Sequence, residues 1–509
     1  MSKYFLSIDA GGTMTKVVIF NKIGKEIALE SFATKRIENF KNQREVNMTE
    51  MWERLCLAIK DVIKKASIDS NDIIGVSCVG HGKGLYLIGK DNKPCRNGIL
   101  STDNRAWEYV DKWNKDGTTQ RIKKISMQNI VSCQAPVLLR WIKDNEMEVY
   151  RNIKYVFSVK DYIRYMLTGK AYGELTDYSG NNFINLKTKA YDKRILQLFG
   201  IDDIMYSLPQ IKKYNDICGY ITKEVSEKTG LKVNTMVSGG LFDIDACAIA
   251  TGVLEDDKIS LISGTWNINT CPSKYPIVEE KTLMNSLFCK DGYYLLEESS
   301  ATSAGNLNVF LELFMNAEIN QYKKENKSIY DLCNSMISAV NPKKSNIIFL
   351  PFLYGSNTNP LAKSMILGLS SNTSKSEVLR AIYEGIAFAH KEHVDKLKRY
   401  IKHEIKNIRM SGGAANSKIW VQIFADVLQV PIEVVNSSEL GALGGAISVA
   451  LATKTYSSLE EAVGSMINIS YRIMPNESLK DTYEKKYNIY KRVIDSMFDL
   501  WEPLDKLIN

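Results

Sequence analysis

The sequence predicts an α/β chain of two domains, and three observations carry the prediction. Short, nearly continuous apolar runs alternate with longer segments whose apolar residues recur at helical spacing. The chain has 509 residues, more than single hydrophobic cores usually serve, so two domains of about 250 residues are expected; the boundary is drawn between 1–247 and 248–509. Finally, the opening strand–turn–strand "YFLSIDAGGTMTKVVIF" is echoed past residue 237 by "DKISLISGTWNINTC", a self-similarity that points to two related domains.

Taken in order, "YFLSID" reads as a buried strand ending on Asp9, "AGGT" as a turn and "TKVVIF" as its partner strand. In "VNMTEMWERLCLAIKDVIKKA", Trp52, Leu55, Cys56, Ile59, Val62 and Ile63 form one helical face, with Asn47 and Glu50 as a cap pair. Next comes "IIGVSCVGHGKGLYLIGKDNKP", a strand, a glycine loop, a second strand and a turn. Residues 238–245, "SGGLFDID", set two carboxylates just after a glycine hinge. In a strand Asp243 and Asp245 would share a face; in a helix they would diverge by roughly 200°. A third glycine turn opens "SGGAANSKIWVQIFADVL", where Ile419, Trp420, Ile423, Phe424, Val427 and Leu428 predict a helix begun by Asn416 or Ser417. The C-terminal "YEKKYNIYKRVIDSMFDLW" reads as an amphipathic helix.

Composition narrows the class. Hydrophobic residues at 45% and charged residues at 24% suffice for real cores and exclude a disordered chain. The net charge of +8 is scattered rather than gathered into a stripe, which suits an anionic ligand and predicts no nucleic-acid partner. The start "MSKYFLSIDAGG" lacks the long apolar core of a signal peptide, and no run of 18 apolar residues predicts a membrane helix. Nine cysteines, with no CxxC pair, read as reduced thiols, so a cytoplasmic location is expected.

Glycine turns at strand ends and helix starts bind phosphate, because bare N–H groups and the helix dipole face the anion. Three such turns, two of them Gly-Thr with an added hydroxyl, point to a polyphosphate, with ATP the natural candidate. No GxxxxGK[ST] P-loop is present, and "GHGKGL" carries Leu85 where GxGxxG requires its last glycine. Asp9, at a strand tip, is placed to hold Mg²⁺ through water, and Lys16 to reach a phosphate; a strand-end turn acid and a solvated lysine are equally compatible with the spacing. His390 and His393 are three apart on a helix, as metal ligands sometimes are, but no third ligand accompanies them, so they and His403 are expected on helix surfaces.

"DAGGTMTK", "SGTWN" and "SGGAANSKIW" resemble the phosphate and adenosine loops of the sugar kinase, actin and heat-shock chaperone ATPase superfamily. Within it, "SMILGLSSNTSKSEVLRAIYEG" (364–385), "VKDYIRYMLTG" (159–169) and "GGLFDID" resemble the FGGY carbohydrate kinases, and "GHGKGLYLI", "ILSTDNRA", "ATSAGNL" and "FLPFLYGSN" their L-xylulose kinase and xylulokinase branch. The likeness spans nearly the whole chain. It implies two ribonuclease H-like (actin-like ATPase) domains flanking a catalytic cleft, the N-terminal one carrying sugar and phosphate loops and the C-terminal one binding adenosine.

The resemblance also implies roles. Asp243 matches the catalytic base, and Asp245 becomes a helix-start acid stabilised by the helix dipole. Thr13, Lys16, Gly264 and Thr265 match phosphate contacts, Asp9 the acid near Mg²⁺, and Gly412, Gly413 and Asn416 the stretch around adenosine; Asn416 is equally suited to capping its helix. His81, where related kinases usually carry glutamine, Lys83 and Asp103 match sugar-hydroxyl contacts, while Arg105 is expected to pair with an acid. The implied activity is ATP- and Mg²⁺-dependent phosphorylation of a ketopentose such as L-xylulose by a soluble homodimer without nucleic-acid or membrane partners. D-xylulose, ribulose, gluconate or glycerol are alternative substrates. A switch ATPase without sugar substrate and a catalytically idle sugar sensor are the other classes weighed.

Overall fold

The computed structural model describes residues 3–38, 40, 42–279 and 282–507. It divides into two compact units: Met1–Leu254, Pro272–Leu296 and Glu439–Ile467 make the first, and Glu255–Cys271, Glu297–Ser438 and Asn468–Asn509 the second. The boundary expected between 247 and 248 falls inside a helix, Asp243–Ala250.

In the first unit, β1 (Tyr4–Ala10), β2 (Met14–Asn21) and β3 (Glu26–Ala33) form an antiparallel meander. β4 (Ile73–Gly80) runs parallel to β1 on its other side. β5 (Ile217–Tyr220) and β6 (Met236–Ser238) extend the sheet, and β7 (Leu241–Phe242) also pairs with β4. The apolar runs are continuous because the central strands are covered on both faces: Phe5, Leu6 and Ile8 have no exposed surface. Helix α1 (Met48–Ala66) begins where Asn47 accepts the Glu50 amide and ends at Ser67 in a left-handed turn. Its face of Leu55, Ile59 and Val62 packs into one core with Leu6, Ile8, Val17 and Ile19. Each such side chain contributes about 1.5–3 kcal/mol on burial, so Leu55→Ala would cost about 2–5 kcal/mol. Helices α2 (Val159–Thr168), α3 (Leu175–Gly180) and α4 (Asp243–Ala250) follow in the chain, and the glycine-rich helix Leu440–Ala452 packs on β1, β4 and α4.

The second unit repeats the theme. β8 (Lys258–Ser263) and β9 (Asn267–Ser273) form a hairpin, β10 (Asn407–Ser411) lies parallel to β8, β11 (Ile432–Val435) continues in parallel and β12 (Ile469–Ile473) closes antiparallel. The echo between "YFLSIDAGGTMTKVVIF" and "DKISLISGTWNINTC" is therefore structural: each is a hairpin whose first strand pairs in parallel with a strand ending at a glycine loop. Helices α5 (Gly305–Phe314), α6 (Lys375–Lys398) and α7 (Lys418–Leu428) belong to this unit. A capping box of Ser374 and Glu377 starts α6. The amphipathic C-terminal segment forms the helix Lys480–Met497, burying Tyr483, Tyr487 and Tyr490.

Candidate active site

In the first unit, register gathers the predicted residues. Ala10 of β1 and Phe242 of β7 both lie level with Gly80 of the central strand β4. Asp9 therefore sits just below, and His81 and Asp243 just beyond, the carboxyl ends of three parallel strands, where open α/β sheets carry their ligands. The His81 amide donates to the Ala10 carbonyl at 3.1 Å. The ring of Phe242 occupies the space where a Cβ at Gly82 would stand, 2.3 Å away, so the close seating of "GHGKG" on "GGLFD" requires glycine there. The question posed by "SGGLFDID" is settled by a helix: β7 ends at Phe242 and α4 begins at Asp243.

Asp243 is half-buried at the first position of α4. Asp245, in the same turn, is fully buried and accepts the Cys289 amide at 3.1 Å. Burial, reinforced by neighbouring acids, pushes its carboxyl well above the usual range. Asp245 thus stands in the first turn of α4, as a helix-start acid would, and its burial adds a second role, holding a neighbouring segment through the Cys289 amide.

Asp9 faces Lys16 across the hairpin, and a Cβ at Gly441 would lie 2.3 Å from its Oδ2. Burial raises its pKa to about 6 against the opposing pull of Lys16. Lys16 itself donates to Glu439 at 2.6 Å, 423 positions along the chain. Thr13 caps the exposed hairpin turn, and its hydroxyl accepts Arg36 Nη2 at 2.8 Å.

His81 is buried, with Nδ1–H directed at the Gly82 carbonyl (3.4 Å) and Nε2 accepting from the Tyr86 hydroxyl (3.2 Å). Burial lowers its pKa to about 4, so it is a neutral imidazole at physiological pH. Lys83 is half-buried in a left-handed conformation, φ +65°. Asp103 is buried and takes four donors: the Arg105 amide and Nε on Oδ1, the Arg44 amide and Arg105 Nη2 on Oδ2. These fill the lone-pair sites of a carboxylate, so Asp103 anchors its loop; a sugar contact would require one donor to leave. Arg105 bridges Asp103 and Glu45, at 2.9 and 2.7 Å, as an ion-pair partner.

In the second unit the Gly264–Thr265 turn and the Gly412–Gly413 turn meet. Ile262 of β8 is level with Ser411 of β10, and Gly412, at φ +92°, passes so close that a Cβ would lie 2.5 Å from the Ser263 carbonyl oxygen. Gly264 and Gly413, by contrast, border open space. Thr265 is exposed, and the start of α5 abuts it: a Cβ at Gly305 would be 3.3 Å from Thr265 Cγ2. Asn416 ends a 3₁₀ turn and is exposed. The helix is capped instead by Ser417, which accepts the Trp420 amide at 3.2 Å. Sequence reasoning missed Gly305, Glu439 and Tyr86; only Glu439, directly before "LGALGG", carried a local signal, a helix-start acid.

The expectation for two histidines is overturned. His390 and His393 are buried, not on a helix surface. They join a polar chain beneath the Gly264 turn: Ser263 to Ser303 at 2.8 Å, Ser303 to His390 Nε2 at 3.1 Å, His390 Nδ1 to Asn269 Oδ1 at 3.2 Å, Asn269 Nδ2 to His393 Nδ1 at 3.2 Å, and His393 Nε2 to Ser300 at 3.3 Å. Asn269 fixes the tautomers, since its oxygen needs a proton from His390 and its amide donates to His393. Burial drives both imidazoles down, His393 to about 3. His403 remains exposed, 4.0 Å from Asp256.

Other features are simpler. All nine cysteines are free. No helix among the described residues is long and apolar enough to cross a membrane.

Comparison with known proteins identifies the architecture. The chain matches the models of the N-terminal domain (residues 4–250) and C-terminal domain (residues 259–453) of the FGGY family of carbohydrate kinases. It is 33% identical over 503 residues to a probable L-xylulose kinase of Haemophilus influenzae, covering 98% of this chain and 99% of that protein. It is 30% identical over 498 residues to an L-xylulose/3-keto-L-gulonate kinase of Escherichia coli, covering 98% of each. The fold is that of a ligand-bound xylulose kinase from Lactobacillus acidophilus, with a TM-score of 0.89 at 23% identity over 99% of this chain and 100% of that one. With the two family models together matching most of its length, the chain belongs to the FGGY family of carbohydrate kinases.

Proposed function

We propose that this kinase transfers the γ-phosphoryl group of ATP to a hydroxyl of a ketopentose, L-xylulose in the first instance, with Asp243 as the base. The observation that carries the reading is the level register of β1, β4 and β7, which collects Asp9, His81 and Asp243 at one sheet edge. Asp243 orients the acceptor hydroxyl and takes its proton late, as the new P–O bond forms and the bond to ADP breaks; positioning and charge neutralisation dominate this chemistry, so a weak base suffices. His81, Lys83 and the loop anchored by Asp103 supply the polar groups for the sugar. The neutral His81 has both ring nitrogens engaged, by Gly82 and Tyr86, so a sugar hydroxyl pairs with it by replacing one of them, and an epimer that cannot do so leaves a group unpaired.

For the nucleotide, the open space beside Gly264 and Gly413 suits groups that bind backbone N–H, with Thr265 and Asn416 exposed alongside and the first turn of α5 adding its dipole. In the first unit Thr13 and Lys16 are the phosphate contacts. A single half-buried carboxylate at Asp9 suits Mg²⁺, which keeps most of its waters and takes phosphate oxygens as its other ligands; when bound, the ion neutralises charge on the transferring group.

ADP release measured over a panel of ketoses tests the reading, with L-xylulose, D-xylulose, ribulose and 3-keto-L-gulonate included. Sugar-stimulated turnover that falls by about 10²-fold or more in Asp243→Ala is expected. Sugar-independent turnover untouched by Asp243→Ala would mean a switch ATPase, and sugar binding without turnover a sensor.

A further inference from the structure

Behind the Asp243 segment lies a group of charged side chains that the reaction itself does not use. Lys160, Asp161 and Arg164 of α2, with Glu174 and Asp177, are entirely buried. Lys160 Nζ lies 2.9 Å from Asp161, 3.5 Å from Glu174 and 3.6 Å from Asp177, and Arg164 pairs with Asp161 at 2.9 Å. Leaving charge buried is costly unless it is paired and hydrogen-bonded, so the arrangement demands a structural return.

That return is visible in two backbone contacts. Arg164 Nη1 donates to the Gly239 carbonyl, just ahead of β7. Glu174 accepts the Thr176 amide at 2.9 Å, the Thr176 hydroxyl at 2.7 Å and the Asp177 amide at 3.4 Å, while burial pushes its carboxyl above the usual range. Because the Thr176 hydroxyl proton is committed to Glu174, its lone pair is left to accept the Phe242 amide, at 3.1 Å. Phe242 is the residue before Asp243. The "GGLFD" segment is thus gripped at Gly239 and again at Phe242.

We propose that Thr176, held by Glu174 and Lys160, is a positioning residue that sets the start of α4 and so the placement of the Asp243 carboxylate. The proposal rests on Asp243 being the base. Displacing a reacting group by about 1 Å is enough to cost roughly 10²-fold in rate, without touching the groups that bind sugar or nucleotide.

The test is a double-mutant cycle on the full-length chain. Thr176→Val, which keeps the shape and removes the hydroxyl, is expected to lower kcat by about 10- to 100-fold with KM for sugar and ATP within about 2-fold. Thr176→Ser should restore most of kcat. In an Asp243→Asn background, Thr176→Val should lower the residual rate no further, because residues acting as a unit are non-additive. If Thr176→Val does not accumulate as folded protein, Thr176→Ala takes its place in the same cycle. A kcat unchanged in Thr176→Val beside an inactive Asp243→Asn overturns the positioning role alone. So does a loss of equal size in both backgrounds, the mark of a general structural role. Full activity in Asp243→Asn overturns the base and, with it, the proposal.

Discussion

Acidification should weaken the second unit through the buried histidine pair, and His393 sets the size. Its ordinary pKa of 6.5 falls to about 3 in the fold, because burial strips the imidazolium of water and a proton on Nδ1 would face the Asn269 amide group at 3.2 Å. The folded pKa lies below the unfolded one, so between the two values the unfolded chain holds the extra proton. Stability is therefore complete above about pH 6.5 and lost as pH falls. Each pH unit costs about 1.4 kcal/mol, so moving from pH 7.5 to pH 5 removes about 2 kcal/mol, or about 4–8 °C of melting temperature for a unit of this size. His390 is depressed in the same direction and adds to the loss. The assay compares melting at the two pH values in the wild type and in His393→Gln, which keeps a polar group but cannot take the proton. The acid-induced drop should be smaller in the variant by the amount given. Equal drops in the two proteins would refute the buried neutral imidazole.

Two further perturbations follow from the geometry. Gly412→Ala should destabilise by about 1–3 kcal/mol, since φ of +92° is strained for any side chain and the added Cβ meets the Ser263 carbonyl. Gly413→Ala next to it should leave melting unchanged and weaken ATP binding, read by calorimetry; wild-type melting in Gly412→Ala would contradict the packing described. Glu439→Gln should release Lys16 from a partly exposed ion pair that itself contributes no more than about 1 kcal/mol, lowering KM for ATP while Lys16→Met raises it. An unchanged or raised KM in Glu439→Gln would count against Lys16 as a phosphate contact.

Local signals in the chain reported local structure well. The helical stripe from Trp52 to Val62, the Asn47 cap and the hairpin turns at Gly11–Thr13 and Gly264–Trp266 stand as the residue pattern required, because period and capping depend on neighbours a few positions away. Motif spacing also sufficed to name candidate residues at strand ends. Where environment decides, sequence reading failed: His390 and His393 are polar residues at helical spacing, and nothing nearby in the chain shows that their face is covered by Asn269, Ser300 and Ser303.

The sequence by itself determined the α/β class, the paired hairpin theme, the family and the identities of the residues offered for chemistry, since each is written in short-range order. Only the tertiary structure decided which of them are engaged, by bringing Glu439 to Lys16, Thr176 to Phe242 and Arg44 to Asp103. Those pairings join positions far apart in the chain, and the surroundings then decide how the same side chain is used: Asp103 is ringed by donors, whereas burial, with a single amide on it, pushes the Asp245 carboxyl well above the usual range.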